Sequence, residues 1–378
     1  MADTTYTLQL NNAPADQSLL DVITLIEVQD DAALASAFRM QVPIGLTDDG
    51  DWTWVAEDTF KPLTPVSISV QLGSDVNEQL MSGYITSHHV HFDKDPGASF
   101  LEVLGMDASV LMNIEEKIVA WKDLADSDIV TQILGTYGFT PEVDSTQPSY
   151  SEDETTIIQR GTDLAFVRRL ARRNGFEFFL DTDATSGTTT GHFHQPKLSD
   201  QPQTDLALAF GDNSNVRTLE AHYDALRPTT ADASGLSIGD KSNQSASASS
   251  SDLDPLGADA VLDLLDQQPK SLLTHANAFD DAELQTRAQA AVDAASWAIS
   301  ASGELDVTAY QAVLRARHTV LLKGAGTRYS GTYYVSRVTH SMTRDTYTQK
   351  FELTRNALAL TGSEPFSTSG GLSLPSPL

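Results

Sequence analysis

The chain has 378 residues and a formal net charge of −28, from 52 acidic and 24 basic side chains. So acidic a protein is poorly suited to nucleic acid, because binding to phosphates needs positive charge. It contains no cysteine, which excludes disulfides and cysteine-based zinc or redox chemistry. No apolar run approaches the roughly 18 residues of a membrane span, and the N-terminus lacks a secretory signal. We therefore expect assembly in the cytoplasm and no stable membrane insertion.

Residues 1–112 predict a first β-barrel domain. Apolar and polar side chains alternate there in short runs, which clusters of Asp, Gly and Pro separate. The runs are YTLQL, LDVITLIEVQ, FRMQVPIG, PVSISVQLG, SGYITSHHVHF and ASFLEVLGMD. Several short strands with turns between them are typical of a small barrel or sandwich.

Residues 113–205 predict an α/β domain. WKDLADSDIVTQILGTYGF has the pattern of a helix that is capped near Ser127 and stops at Gly138. TDLAFVRRLARRNG predicts a second helix, with Thr162 as its N-cap and Gly175 at its end. FEFFLDT then follows as a strand.

The second half of the chain predicts a second β-barrel domain with an insertion. We assign residues 206–228 and 302–362 to this barrel, with strands in LDVTAYQAVL, HTVLLKG, GTYYVSRVTHSM and YTQKFELTRNAL. We assign residues 229–301 to the insertion, in which a Ser- and Asp-rich mobile linker or loop (229–256) precedes a helix at about 280–301. Residues 363–378 predict an extended tail.

Two distant stretches of the sequence resemble each other. Each has a strand, a turn, a Ser-Gly pair (Ser82-Gly83 and Ser330-Gly331), a tyrosine-bearing strand, a charged turn and a Phe-containing strand. A true repeat would give the chain two related barrels, and three such chains would make a ring of six similar units.

The second predicted helix gathers positive charge in this acidic chain. Arg168, Arg169, Arg172 and Arg173 lie within six positions, where the pairs four residues apart repel slightly unless a partner compensates. Three interpretations stay open: a solvated helix face, a docking face against an acidic surface across a subunit or domain boundary, and an anion-binding site. We take these four arginines as candidate interface residues.

Other motifs give little support for catalysis. The G-x-S-x-G match at Gly235–Gly239 lies in the Ser-rich stretch, without the strand and helix that expose a catalytic serine. On a strand, His89 and His91 share a face, as do His192 and His194, so each pair could touch one metal, but no third ligand is visible. The sequence therefore predicts no enzyme, no cofactor and no metal ligand.

The order of these pieces resembles the VgrG and phage late-control gene D family. TTIIQRGTDLAFVRRLARRNGFEFFLD is similar to the signature of that family, and the flanking stretches are similar to its two barrels. The resemblance extends to about residue 360. Family members of type VI secretion continue into a long β-helical spike, whereas this sequence continues into a short Ser/Gly/Pro tail.

The resemblance implies a structural baseplate hub of a contractile injection system, in a phage tail or a phage-tail-like particle. Such a hub is a homotrimer whose pseudo-sixfold ring joins a separate trimeric spike to the sixfold inner tube. The implied partners are that spike, an inner-tube or tube-initiator protein and baseplate wedge proteins, with no nucleic-acid specificity. The charge of −19 in residues 1–150 and of +3 in residues 301–378 suits different neighbours. The alternative is a particle-borne or secreted β-rich hydrolase or glycan-binding module.

Overall fold

The computed structural model describes residues 4–73, 76–148, 152, 156–236, 241–274 and 280–364. The predicted fold class, mainly β with an α/β domain, is confirmed. Within these residues, no helix has both the length and the apolar character to cross a membrane. Both β domains, the α/β domain and the insertion have hydrophobic clusters of their own, while the predicted domain boundaries themselves stay a prediction.

The N-terminal region is an antiparallel sheet that buries every second side chain. Its elements are β1 (Thr4–Leu10), β2 (Ala13–Pro14), α1 (Gln17–Leu20), β3 (Leu25–Asp31), β4 (Ala37–Pro43), β5 (Pro65–Leu72), β6 (Val76–His91) and β7 (Phe100–Asp107). Strand β5 alternates strictly between buried and half-buried residues, as a period of two requires when one face meets the core. The predicted strands are confirmed, except that residues 20–24 form the end of α1 and a turn.

The α/β domain follows. Its elements are β8 (Glu116–Trp121), α2 (Asp126–Thr136), β9 (Thr140–Val143), β10 (Ile157–Thr162), α3 (Asp163–Asn174), β11 (Glu177–Thr182) and β12 (Thr189–His194). The predicted caps of α3 are confirmed: the Thr162 hydroxyl accepts a hydrogen bond from the Ala165 amide at 3.3 Å, and Gly175 has φ +69°. Strands β11, β12 and β9 form one sheet, and β8 pairs with β10.

Two strands and the insertion come next. They are β13 (Gln203–Ala207), β14 (Val216–Tyr223), β15 (Thr230–Leu236), β16 (Asn243–Ala248), β17 (Asp259–Ala260), β18 (Lys270–Thr274) and α4 (Asp281–Ser296). The prediction of a mobile linker at 229–256 is wrong, because β15 pairs with both β16 and β18. Ala231, Ala233 and Ala248 are buried against the Ala-rich face of α4. Small side chains at every second position let a sequence of low hydrophobicity pack closely on this helix.

The C-terminal elements complete the chain. They are β19 (Ile299–Leu305), α5 (Val307–Tyr310), β20 (Thr319–Lys323), α6 (Gly326–Tyr329), β21 (Gly331–Met342), β22 (Tyr347–Arg355) and β23 (Ala357–Leu358). Two predictions are wrong here: α4 ends at Ser296 before a strand, and LDVTAYQAVL contains α5. The Asp306 side chain caps α5 by accepting from the Thr308 amide at 3.0 Å, which ends the strand. Residues 365–378 of the predicted tail lie outside the described residues.

The two β domains share one strand order, although β1 is antiparallel to β5 whereas its counterpart β13 is parallel to β20. The first array (β1, β3–β7) has the order β3-β4-β7-β6-β5-β1, and the second array (β13, β14, β19–β22) has the order β14-β19-β22-β21-β20-β13. Corresponding strands also follow the same order along the chain. A bulge interrupts β6 between Ile85 and Ser87, and an equivalent bulge interrupts β21 between Val335 and Arg337. The equivalent bulges match each residue of β6 with the residue of β21 whose number is 250 higher. The two Ser-Gly pairs differ by 248, so they are not strictly equivalent. The insertion lies between the second and third strands of the second array.

The arrays join edge to edge through β21. Its first residues pair with β20, and its last residues pair with β3 in the first array, from Arg337 opposite Asp31 to Met342 opposite Ile26. Met342 is buried in the core of the first array. One long strand therefore belongs to both halves of the molecule.

Candidate subunit interface

The four candidate arginines of α3 lie in different environments. Arg173 is half-buried and forms ion pairs with Asp126 of α2 and, at 3.6 Å, with Glu283 of α4. Both carboxylates are almost fully buried, so Arg173 fastens α3 to α2 and to the helix of the insertion. This arginine therefore docks across a boundary within the chain.

Arg168 and Arg172 line a cleft of about 1120 Å³ between α3, the second array and the insertion. The Nε atom of Arg168 is buried and has no hydrogen-bond partner among the described residues. Burial lowers the pKa of Arg168 below its ordinary value. Arg169 is exposed, and its guanidinium lies 5.0 Å from the centre of the Phe166 ring. A role for these three arginines at a subunit interface stays a prediction.

A buried charged cluster connects the two arrays, and sequence reasoning did not find it. Arg317 forms an ion pair with Asp30, whose other oxygen accepts from the Ala316 amide at 3.0 Å. Beside them, Arg337 donates to Asp31 at 2.7 Å. Pairing of this kind favours one arrangement of the two arrays, because an arrangement that separates the partners leaves a buried charge uncompensated. The available signal was the pair Asp30-Asp31 at the end of β3, where Asp30 takes a position that the alternation of the strand would give to an apolar residue.

A buried carboxyl group ties the α/β domain to the same place. The Tyr334 hydroxyl in β21 lies 2.7 and 2.6 Å from the two carboxylate oxygens of Glu177 in β11. Burial raises the pKa of Glu177 to about 7, against the smaller opposing effects of Tyr334 and Arg317. Glu177 is therefore protonated over part of the physiological pH range.

Strands β14 and β6 each have an open edge within the described part of the chain, as some other strands do. Strand β14 lies at the end of the second array and pairs only with β19. Strand β6 pairs with β5 up to Tyr84, and beyond Ile85 it pairs only with β7. The open segment of β6 is exposed from Thr86 to His89, and Phe92 beyond it is 55% exposed. Open edges present unpaired backbone donors and acceptors to a partner strand.

The two histidine pairs lie apart. His89 and His91 lie on the open part of β6, and their nearest carboxylates are Glu102 at 3.6 Å and Asp93 at 3.9 Å respectively. His192 and His194 lie on β12 beside Glu142. In the rejected G-x-S-x-G match, Gly235 and Leu236 belong to β15, and its serine lies outside the described residues.

The sequence matches one family model, described as the Alg8 N-terminal domain, over residues 4–344. The chain belongs to this family. The match spans the first array, the α/β domain, the insertion and most of the second array. No curated protein matches the sequence.

Solved structures share the fold. The 43 kDa tail protein of prophage MuSo2 from Shewanella oneidensis superimposes with a TM-score of 0.65 and 12% identity, over 94% of this chain and 100% of that one. A tail protein from Neisseria meningitidis MC58 gives 0.64 and 12%, over 93% and 97%. The Escherichia coli c3393 protein, a component of the type VI secretion system, gives 0.55 and 14%, over 92% and 76%. At these identities the likeness establishes that the chain has a phage-tail-protein fold.

Proposed function

We propose that this chain is a non-enzymatic baseplate hub of a contractile injection system, which forms a homotrimer and joins a trimeric spike to a sixfold inner tube. The shared fold of phage tail proteins supports a structural role in a tail or baseplate. The internal duplication supports the symmetry, because three chains with two arrays each provide six similar units. The trimer proposal rests on one observation. Strands β21 and β3 pair with each other within the chain, and the strands that correspond to them, β6 and β14, each have an open edge.

The duplication supplies the geometry of the contact between chains. In strand order, β6 corresponds to β21, and β14 corresponds to β3. The pair β21 and β3 joins the two arrays within one chain. The corresponding strands, β6 and β14, each have an edge with no partner within the described residues. Pairing β6 of one chain with β14 of the next repeats the same contact around a ring.

Structural equivalence also supports one register for the proposed contact. The pairings β6–β7 and β21–β22 make Val90 the counterpart of His340. The pairings β3–β4–β7 and β14–β19–β22 make Ala221 the counterpart of Val28. His340 lies opposite Val28 in the existing junction. Val90 of one chain should therefore lie opposite Ala221 of the next.

Two neighbouring pairs follow from the same register. Phe92 lies opposite Leu219, on the face that is buried in the existing junction. His91 lies opposite Glu220 on the other face, where opposite charges are favourable when His91 is protonated. An apolar side chain as exposed as Phe92 gains a buried position in this contact.

Light scattering of the purified chain, alone and with a co-expressed spike protein, tests the oligomeric state. We expect three copies of the 40.8 kDa chain, about 122 kDa, and a particle with six lobes in electron-microscope averages. Phe92→Lys should shift the mass toward the monomer, whereas Leu272→Lys, at an exposed site in β18 outside the contact, should not. A wild-type chain that stays at 40.8 kDa with and without the spike contradicts the proposal.

Cysteine cross-linking tests the register, because the sequence contains no cysteine. Directly opposed residues of antiparallel strands are close enough for a disulfide. Oxidised V90C/A221C chains should therefore close into a covalent trimer on a denaturing gel. The offset variant V90C/E220C, whose side chains point to opposite faces, is the matched control. Equal cross-linking in both variants, or in neither, contradicts the register.

A further inference from the structure

The third ligand that the sequence did not reveal for His192 and His194 is Glu142. Strands β9 and β12 are parallel neighbours, and their register places Glu142 directly beside His192. His194 follows two residues later on the same face of β12. One ligand atom from each of the three side chains lies within 4.8 Å of the other two. The residues come from two separate segments of the chain, so the cluster depends on the fold.

The separation of the first two ligands fits a tetrahedral ion. Nδ1 of His192 lies 3.4 Å from Oε2 of Glu142. Ligand atoms about 2.0–2.1 Å from zinc at tetrahedral angles lie about 3.3–3.4 Å apart. Nδ1 of His192 is also buried and has no hydrogen-bond partner among the described residues. A buried nitrogen of this kind is costly unless it is occupied.

The surroundings orient both rings. Nδ1 of His194 lies 2.7 Å from the Gln195 carbonyl oxygen, which can only accept, so in the neutral imidazole Nδ1 carries the proton and Nε2 has the lone pair. Phe179 stacks on His192 at 4.4 Å between ring centres and contacts His194 edge-on at 5.8 Å. Arg317 lies over the same Phe179 ring at 4.4 Å. The imidazoles are thus held in place without a metal.

A lysine limits the affinity of this cluster. Lys197 donates to Oε1 of Glu142 at 2.6 Å, which leaves Oε2 for another partner. Its ammonium group also repels an incoming cation. His192, His194 and Lys197 line a cleft of about 580 Å³, through which an ion and a water ligand can enter.

We propose that Glu142, His192 and His194 bind a divalent transition-metal ion of the zinc type, with water as the fourth ligand. Two imidazoles and one carboxylate form a ligand set that zinc accepts. The ion would bridge β9 and β12 and stabilise the α/β domain against unfolding. The proposal is independent of the hub function.

Titration calorimetry of the metal-free full-length chain with zinc chloride tests the site. We expect one zinc ion per chain, and an affinity lowered at least about tenfold in H192Q, H194Q and E142Q. The double variant H89Q/H91Q is the matched control and should bind as the wild type does. K197M should bind more tightly, because it frees Oε1 of Glu142 and removes a positive charge.

The controls separate coordination from folding. Circular dichroism without zinc should be the same for E142Q and the wild type, since Glu142 is half exposed. A visible spectrum of the cobalt-loaded chain gives a second readout of tetrahedral coordination. The proposal is overturned if the wild type binds no stoichiometric zinc, if H89Q/H91Q loses as much affinity as H192Q, or if K197M binds more weakly.

Discussion

Replacing Glu177 with glutamine should remove a loss of stability at high pH that arises at the junction of the α/β domain and the second array. The Glu177 carboxyl group lies against the Tyr334 hydroxyl, and its pKa is raised from the ordinary 4.5 to about 7, mainly by burial. Between these values the folded chain holds a proton that the unfolded chain releases. The contribution of this group to the free energy of unfolding is therefore complete below pH 4.5 and is lost as the pH rises through 7.

The raised pKa sets the size of the effect. A rise from 4.5 to about 7 corresponds to about 3 kcal/mol between low and high pH. The glutamine in E177Q stays neutral, and its amide oxygen can still accept from the Tyr334 hydroxyl. Urea unfolding of both proteins from pH 4.5 to pH 8 measures the difference by tryptophan fluorescence, to which Trp297, stacked on Tyr334 at 5.6 Å between ring centres, contributes.

The difference between the two proteins isolates this carboxyl group from the other acids of the chain. We expect E177Q to gain up to about 3 kcal/mol on the wild type as the pH rises to 8. Glu116→Gln, at an exposed carboxylate, is the control and should show no such gain. A stability difference between E177Q and the wild type that is constant with pH refutes the reasoning, because the buried group then does not change its protonation.

Two further substitutions test how the parts of the chain are held together. Arg173→Met should lower the free energy of unfolding by about 3 kcal/mol in urea titrations, because Asp126 and Glu283 stay buried without this arginine. Arg172→Met, at an exposed arginine of the same helix, is the control. Equal losses of stability in the two variants would contradict this explanation. Gly83→Ala should cost about 1–3 kcal/mol in thermal melts, because its Cβ would lie 2.1 Å from a backbone carbonyl oxygen of β7; an unchanged melting temperature would show that β7 can move away.

Local patterns predicted much of the fold because they depend on near neighbours. The capping of α3 by Thr162 and its end at Gly175 follow from the chemistry of one helical turn. The wrong prediction for residues 229–256 arose because their packing partner is distant in the sequence. Ala231 and Ala233 look unable to form a core until α4, about 50 residues later, covers them. Composition alone could not show that partner.

The candidate site was predictable only in part for the same reason. The arginines of α3 were visible as a cluster, but the fates of Arg168 and Arg173 depend on the insertion and on α2. Glu142 lies 50 residues from His192, and only the parallel pairing of β9 with β12 brings them together. Similarly, the two Ser-Gly pairs indicated a repeat, but the aligned bulges define it.

The two kinds of junction in the proposed ring differ in charge, and this difference bears on the order of assembly. Within the chain, Arg337 of β21 pairs with Asp31 of β3 and also, at 3.0 Å, with Glu352. In the register of the contact between chains, Ser87 takes the place of Arg337, so this ion pair has no counterpart there. The contact within the chain combines a charged clamp with a shared core, whereas the contact between chains rests on apolar pairs and one histidine. Each chain should therefore fold completely before the proposed ring of three chains closes.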